Sequence, residues 1–341
     1  MSDRPLGIED MGEFEFIRSI KSGCHFSHER LIKGIGDDCA VIGPYEGRAL
    51  LVSTDLLVED VHFILENILP EHLGEKAVAV NLSDIAAMGG KALHLFLSLA
   101  IPRSMRVETL HSLYRGIKAM CGRYKVNILG GDTSASMDRL MINVAVIGEA
   151  PENEVLYRSG AGPDHDIYVT GTLGDSAAGL KLIKEDIFVP ESYADPLKEA
   201  HNLPQPHLEA GRVIARSRLA TAMIDVSDGL VSDLGHICEA SGVGAIIYEE
   251  VLPISRELRG IAGAGCLDPV SLALSGGEDY RLLVTVPQEN GVLFKKMFEK
   301  GEPCRVWRIG RTTSKTGIRI VSPDGSEKLA KTGGFDHFTQ P

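Results

Sequence analysis

Carboxylates stand beside glycines or hydroxyls at five places in the sequence: Gly34-Ile-Gly-Asp-Asp38, Ser53-Thr54-Asp55, Asn81-Leu-Ser-Asp84, Gly130-Gly-Asp132 and Asp225-Val-Ser-Asp228. Any one of them reads as a turn or a helix N-cap, since a short acidic side chain bonds readily to nearby backbone N–H groups. Five in one chain are harder to explain as caps, because carboxylates brought together repel unless a cation lies among them. Hard oxygen donors of this kind, with hydroxyls from Ser53 and Thr54, suit Mg²⁺ bridged to phosphate groups. The chemistry indicated is therefore the binding of substrate phosphates through a divalent cation. No Gly-x-x-x-x-Gly-Lys-Ser/Thr loop is present, nor are the paired His-Arg-Asp and Asp-Phe-Gly signatures, so the two commonest ATP folds are excluded. A dinucleotide fold is poorly supported, since no Gly-x-Gly-x-x-Gly opens a helix after the first strand.

The elements that carry these residues follow from periodicity. Arg48 to Ser53 is β-prone and apolar, which predicts a strand with Asp55 at its tip. Leu73, Ala77, Val80 and Met88 recur at helical spacing before Gly89-Gly90, so Asp84 is expected on a helix, with Asn81 and Ser83 on its other faces. A strand from Leu93 to Ile101 follows, then a helix striped by Leu110, Leu113, Ile117 and Met120, a short strand ending at Gly130-Gly131-Asp132, and a strand from Leu140 to Ile147. The polar, aperiodic segment Glu149 to Glu154 marks the expected domain boundary, giving domains at 1–150 and 151–341. In the second, strands at Ile167–Thr170, Ala222–Ile224 and Leu282–Val286 alternate with helices beginning near Ser176, carrying Leu230, Leu234 and Ile237, and around Leu293 to Phe298. A hairpin is expected from Arg305 to Val321, and the Pro-punctuated stretch from Asp186 to Pro206 reads as a long surface excursion.

The chain has 341 residues, 44% of them hydrophobic and 24% charged, enough for two compact domains with sizeable cores. A formal net charge of −12 without a Lys/Arg cluster argues against nucleic acid. The six cysteines are scattered, with no Cys-x-x-Cys pair and no signal peptide, and read as reduced thiols. The eleven histidines are equally dispersed, which disfavours structural zinc, and the most apolar run, Ala92 to Ile101, is too short to span a bilayer. The expectation is a cytoplasmic protein that binds no membrane.

The islands together with Val80-Asn-Leu-Ser-Asp-Ile-Ala-Ala-Met-Gly89, Gly-Gly-Asp-Thr133, Tyr168-Val-Thr-Gly171, Gly174-Asp-Ser-Ala-Ala-Gly-Leu180 and Ser275-Gly-Gly-Glu-Asp-Tyr280 resemble the thiamine-monophosphate kinase family, in that family's order, from Gly12 to Phe338. The wider superfamily includes aminoimidazole ribonucleotide synthetase, selenophosphate synthetase and the hydrogenase-maturation ATPase. The reactive Cys or selenocysteine of the selenophosphate branch and the C-terminal Cys of the maturation branch have no counterpart here. Where the family commonly has Gly-Asp, this chain has Asp164-His165-Asp166.

The resemblance implies two mixed α/β domains (α+β type), the N-terminal one with a sheet that joins a second copy in a homodimer barrel. It implies ATP as phosphoryl donor, several Mg²⁺ ions and thiamine monophosphate as acceptor. By position, Asp38 (rather than Asp37), Ser53, Thr54, Asp55, Asp84, Asp132, Asp225 and Asp228 would hold metal. Tyr114, Gly131, Asp132, Arg158 and Ser227 would meet the nucleotide, and His62, Glu278 and Phe335 the substrate, with Glu278 facing the thiazolium charge and Phe335 stacking on its ring. No residue is implied as covalent nucleophile or general base. Two alternatives remain open: a superfamily relative that activates another small substrate with ATP, and an inactive metal-binding dimer scaffold.

Overall fold

The computed structural model describes residues 12–330 apart from 22, 23, 25, 28, 265, 266 and 302. It is a mixed α/β structure built on two sheets. The first contains β1 (Leu31–Lys33), β2 (Ala40–Tyr45), β3 (Arg48–Val58), β4 (Lys91–Pro102), β5 (Asn127–Ser136) and β6 (Met141–Pro151), in the order β1-β2-β3-β6-β4-β5. Its pairs are antiparallel except β4 with β5, which lie parallel because the helix Val107–Tyr124 carries the chain back between them. Burial alternates along β6, so one face of this sheet is covered and the other is open.

The second sheet contains β7 (His165–Thr170), β8 (Ala222–Asp225), β9 (Gly244–Tyr248), β10 (Leu282–Pro287), β11 (Val306–Thr313), β12 (Ile318–Val321) and β13 (Glu327–Leu329), in the order β13-β12-β9-β11-β7-β10-β8. Strands β7, β8 and β10 are buried almost throughout, as near-continuous apolar runs require when both faces are packed. Leu282, Val284 and Met223 on one face join the core of the first sheet, while Leu283, Ile224 and Val169 on the other pack with the helix Leu230–Ser241. The two sheets thus share one core.

Between them runs the helix Pro70–Ala87. It opens with Pro70, whose missing N–H is no loss at a first helical position, and stops at Met88 and the left-handed Gly89 (φ 72°). From Leu73 to Ala87 every residue except Glu75 and Asp84 is buried. Glycines allow the close approach: a Cβ on Gly116 would fall 1.8 Å from the Glu71 carbonyl oxygen, and one on Gly211 would fall 2.2 Å from that of Ala86. Among the described residues no helix is long and apolar enough to cross a membrane.

Several expected boundaries are corrected. Strand β3 does not end at Asp55: Leu56 to Val58 continue to pair with β6, so Asp55 sits within the strand. Strand β5 runs on through Gly130-Gly131-Asp132 to Ser136, because Gly131 lies so close to β4 that a Cβ would sit 1.6 Å from the Leu97 carbonyl oxygen. The stretch from Asp186 to Pro206 contains the helix Glu191–Asn202, which buries Ala194, Leu197 and His201 at helical spacing despite Pro196. Strands β11 and β12 form no hairpin, since β9 lies between them, antiparallel to β11 and parallel to β12. At the Asp164-His165-Asp166 departure, Asp164 adopts a left-handed φ of 62°, and Asp166 is buried against Arg308, whose Nε donates to it at 2.6 Å.

The contact between Gly211 and Ala86 holds the Asp84 helix to the helix Leu208–Ser217. Gly211→Ala should lower stability by about 1–3 kcal/mol through overpacking. Equilibrium urea unfolding would check this, and an unchanged midpoint would show that the helices yield without cost.

Candidate active site

A cavity of about 910 Å³ opens where β3, the Asp84 helix, β8 and the β1–β2 loop converge. Asp38, Asp84 and Asp225 each turn a carboxylate oxygen into it, and these oxygens lie within 4.8 Å of one another. Each comes from a different element, and each is held by a specific donor. Arg158 grips Asp38 Oδ1 through Nε at 3.0 Å and Nη2 at 2.6 Å. Ser83 Oγ donates to Asp225 Oδ2 at 2.6 Å, and Ser53 Oγ donates to Asp84 Oδ2. Asn81, on the same helix as Ser83 and Asp84, accepts the backbone N–H of Asp55 at 3.1 Å and so fixes β3 beside the cluster. Asp37 lines the same cavity with other partners: its Oδ1 accepts the Arg158 backbone N–H at 3.1 Å, and its Oδ2 lies 3.1 Å from Lys33 Nζ.

Burial and mutual repulsion govern the charge on these groups. Burial, offset in part by Arg158 and reinforced by Asp225, pushes Asp38 up to about 7. Burial raises Asp55 to about 6 and Asp225 to about 6, and lifts Asp84 well above the usual carboxylate range, with Asp55 and Asp225 adding to the effect. Oδ2 of Asp38 is buried without a hydrogen-bond partner. An all-oxygen donor set with an unsatisfied buried carboxylate atom fits a hard divalent cation.

Ser227 and Asp228 line the cavity beyond Asp225. Asp233, fully buried, accepts the backbone N–H groups of Asp228 and Gly229 at 3.2 and 3.1 Å, which shapes the turn that presents Asp228. His62 and Glu278 line the same cavity; His62 Nδ1 accepts the Val58 N–H at 3.0 Å. Glu278 is bound by two residues that the sequence reading did not single out, Lys76 and His201. Lys76 carried a signal, being the one Lys or Arg of the helix Pro70–Ala87 and opening the apolar run Ala77 to Val80, and His201 repeats with Ala194 and Leu197 at helical spacing.

The remaining expected residues lie elsewhere in this chain. The side chain of Thr54 is on the open face of the sheet, where its hydroxyl donates to the Val144 carbonyl at 3.0 Å and accepts from Asn143 Nδ2 at 3.0 Å. Gly131 and Asp132 are exposed on the edge strand β5, and Tyr114 is half-buried against the core of the first sheet. Phe335 lies outside the described residues.

This pairing of two mixed sheets around an acidic cavity is the architecture of the AIR synthase related proteins. The N-terminal domain model of that family matches residues 36–150 and its C-terminal domain model residues 162–322. Within that class, the chain belongs to the thiamine-monophosphate kinase family. It is 36% identical over 338 residues to the thiamine-monophosphate kinase of Bacillus subtilis, covering 96% of this chain and 100% of that one. It is 39% identical over 333 residues to that of Escherichia coli K12, covering 97% and 99%. A solved structure, AaThiL complexed with AMPPCP and TMP, superposes with a TM-score of 0.83 at 34% identity, covering 98% of this chain and 99% of that chain. The hydrogenase maturation protein HypE of E. coli, at 20% identity and a TM-score of 0.69, shares the fold.

Because folding raises these carboxyl groups above their unfolded values, the native state binds more protons than the unfolded one between about pH 4 and pH 7. Their contribution to stability therefore falls as pH rises through that window and stays low above it. A cation that offsets the repulsion should raise the melting temperature more at pH 8 than at pH 5.5. Thermal unfolding with EDTA and with Mg²⁺ at both pH values reads this directly, and an equal shift at the two would contradict it.

Proposed function

We propose that the chain transfers the γ-phosphate of ATP directly to thiamine monophosphate, giving thiamine diphosphate and ADP. The convergence of Asp38, Asp84 and Asp225 beside Arg158, in the cavity that also contains Glu278, carries this reading. An oxygen of the acceptor phosphate forms the new bond to the γ-phosphorus, the bond to the β–γ bridging oxygen breaks, and ADP leaves. That oxygen is already anionic, so no general base is required. The barrier is instead the approach of two anions in line, which the cavity lowers by fixing both partners.

Asp38, Asp55, Asp84 and Asp225, with Asp228 and Ser53, are the residues that would hold Mg²⁺. When bound, Mg²⁺ supplies charge neutralisation for the phosphate oxygens. Arg158 holds Asp38 through two bonds to Oδ1 and lines the same cavity.

 

The open face of the first sheet exposes Leu56, Phe96 and Met141, and β5 is an unpaired edge, which supports a homodimer formed through this sheet. Such pairing would cover the surface that carries Thr54, Gly131 and Asp132. The same reading divides the domains between residues 150 and 151, at the last residue of β6, Pro151, just before the 3₁₀ turn Glu152–Glu154.

Incubation with ATP, Mg²⁺ and thiamine monophosphate should yield thiamine diphosphate and ADP in equal amounts. AMP as the nucleotide product would favour a superfamily relative with different chemistry. Thiamine itself, lacking the phosphate nucleophile, should not be phosphorylated, and γ-labelled ATP should leave no labelled enzyme. Asp84→Asn should lower kcat by about a hundredfold or more, and near-normal turnover at saturating Mg²⁺ would remove Asp84 from the reaction.

A further inference from the structure

Lys76 is fully buried, and its ammonium has three acceptors around it: Glu278 Oε2 at 3.1 Å, the His62 carbonyl at 3.2 Å and His201 Nε2 at 3.5 Å. An ammonium only donates, so Nε2 of His201 must accept, and the imidazole proton resides on Nδ1. Nδ1 lies 3.0 Å from the same Glu278 Oε2 and 3.1 Å from Ser176 Oγ. The imidazole is therefore neutral. Its burial and the neighbouring Lys76 both lower its proton affinity, in keeping with that tautomer. Burial alone would raise the Glu278 carboxyl, but Lys76 and His201 outweigh it and pull the group down to about 2.

Both bonds fall on Oε2, and neither involves Oε1. The backbone of Glu278 is fixed as well. Its φ is 62°, its N–H donates to the Ser227 carbonyl at 2.7 Å, and the adjacent Asp279 accepts the Gly174 N–H at 2.7 Å at the start of the helix Asp175–Lys184. Lys76 cancels the charge of Glu278 while His201 is neutral. The triad thus offers a polarised, immobile acceptor of zero net charge, better suited to an N–H donor than to a cation that gains only from charge. This differs from the expectation that Glu278 answers the thiazolium charge.

We propose that Lys76 and His201 are positioning residues that pin Oε2 of Glu278 so that Oε1 accepts a hydrogen bond from an amino group on the substrate's heteroaromatic ring. The inference rests on the function proposed above, under which that group is the 4-amino substituent of the pyrimidine.

The test compares thiamine monophosphate with the analogue in which the 4-amino group is replaced by hydrogen. The wild-type protein should prefer the amino compound by roughly 10- to 100-fold in kcat/KM. Lys76→Met and His201→Gln should each reduce that preference toward one, leaving KM for ATP nearly unchanged. A merely structural role would slow both compounds equally and preserve the preference, and that result would overturn the proposal. Should Lys76→Met fail to fold, His201→Gln carries the comparison alone. A wild-type protein that phosphorylates both compounds equally contradicts the inference and leaves the kinase reading standing. If it phosphorylates neither, the kinase reading fails, and calorimetric binding of the two compounds then decides the inference: equal affinity overturns it.

Discussion

Asp38, Asp84 and Asp225 reach one small space from a loop, a helix and a strand, and each disfavours the ionisation of the others. A protein gains no stability from such an arrangement. It persists only because every carboxylate is tied by a donor whose own position is set by packing: Arg158 for Asp38, Ser53 for Asp84 and Ser83 for Asp225. Most of the remaining architecture serves to keep those donors from moving.

The central helix illustrates the point. Its apolar residues bury it between the sheets, and several of its polar ones reach toward the cavity. Asn81 fixes β3, Ser83 fixes β8 and Lys76 reaches Glu278. One rigid element therefore sets the spacing between the carboxylate cluster and the Glu278 triad. The glycine contacts at Gly116 and Gly211 hold that helix closely against its neighbours.

Much of this was legible in the sequence because polar residues interrupt apolar periodicity. The motif Asn81-Leu-Ser-Asp84 on a helix, and Asp225 at the end of a strand, were both read from local pattern. What local pattern did not reveal depends on distant pairing or on packing. Strand β9 inserts between β11 and β12 from far earlier in the chain, and the prolines near the helix Glu191–Asn202 masked the spacing that buries His201. Asp233 acts through backbone N–H groups and is silent in sequence. Gly131 and Asp132 belonged to the expected nucleotide site, yet in the single chain they lie on an exposed edge strand.

The account turns on whether the carboxylate cluster binds a divalent cation that ATP also contacts. Mn²⁺ binding followed by electron paramagnetic resonance, in the wild-type protein and in Asp84→Asn/Asp225→Asn, tests it most directly. Saturable binding at neutral pH that tightens with ATP and is lost in a folded double variant is the expected result. Binding of equal strength in the two proteins would place the cation elsewhere and contradict the account.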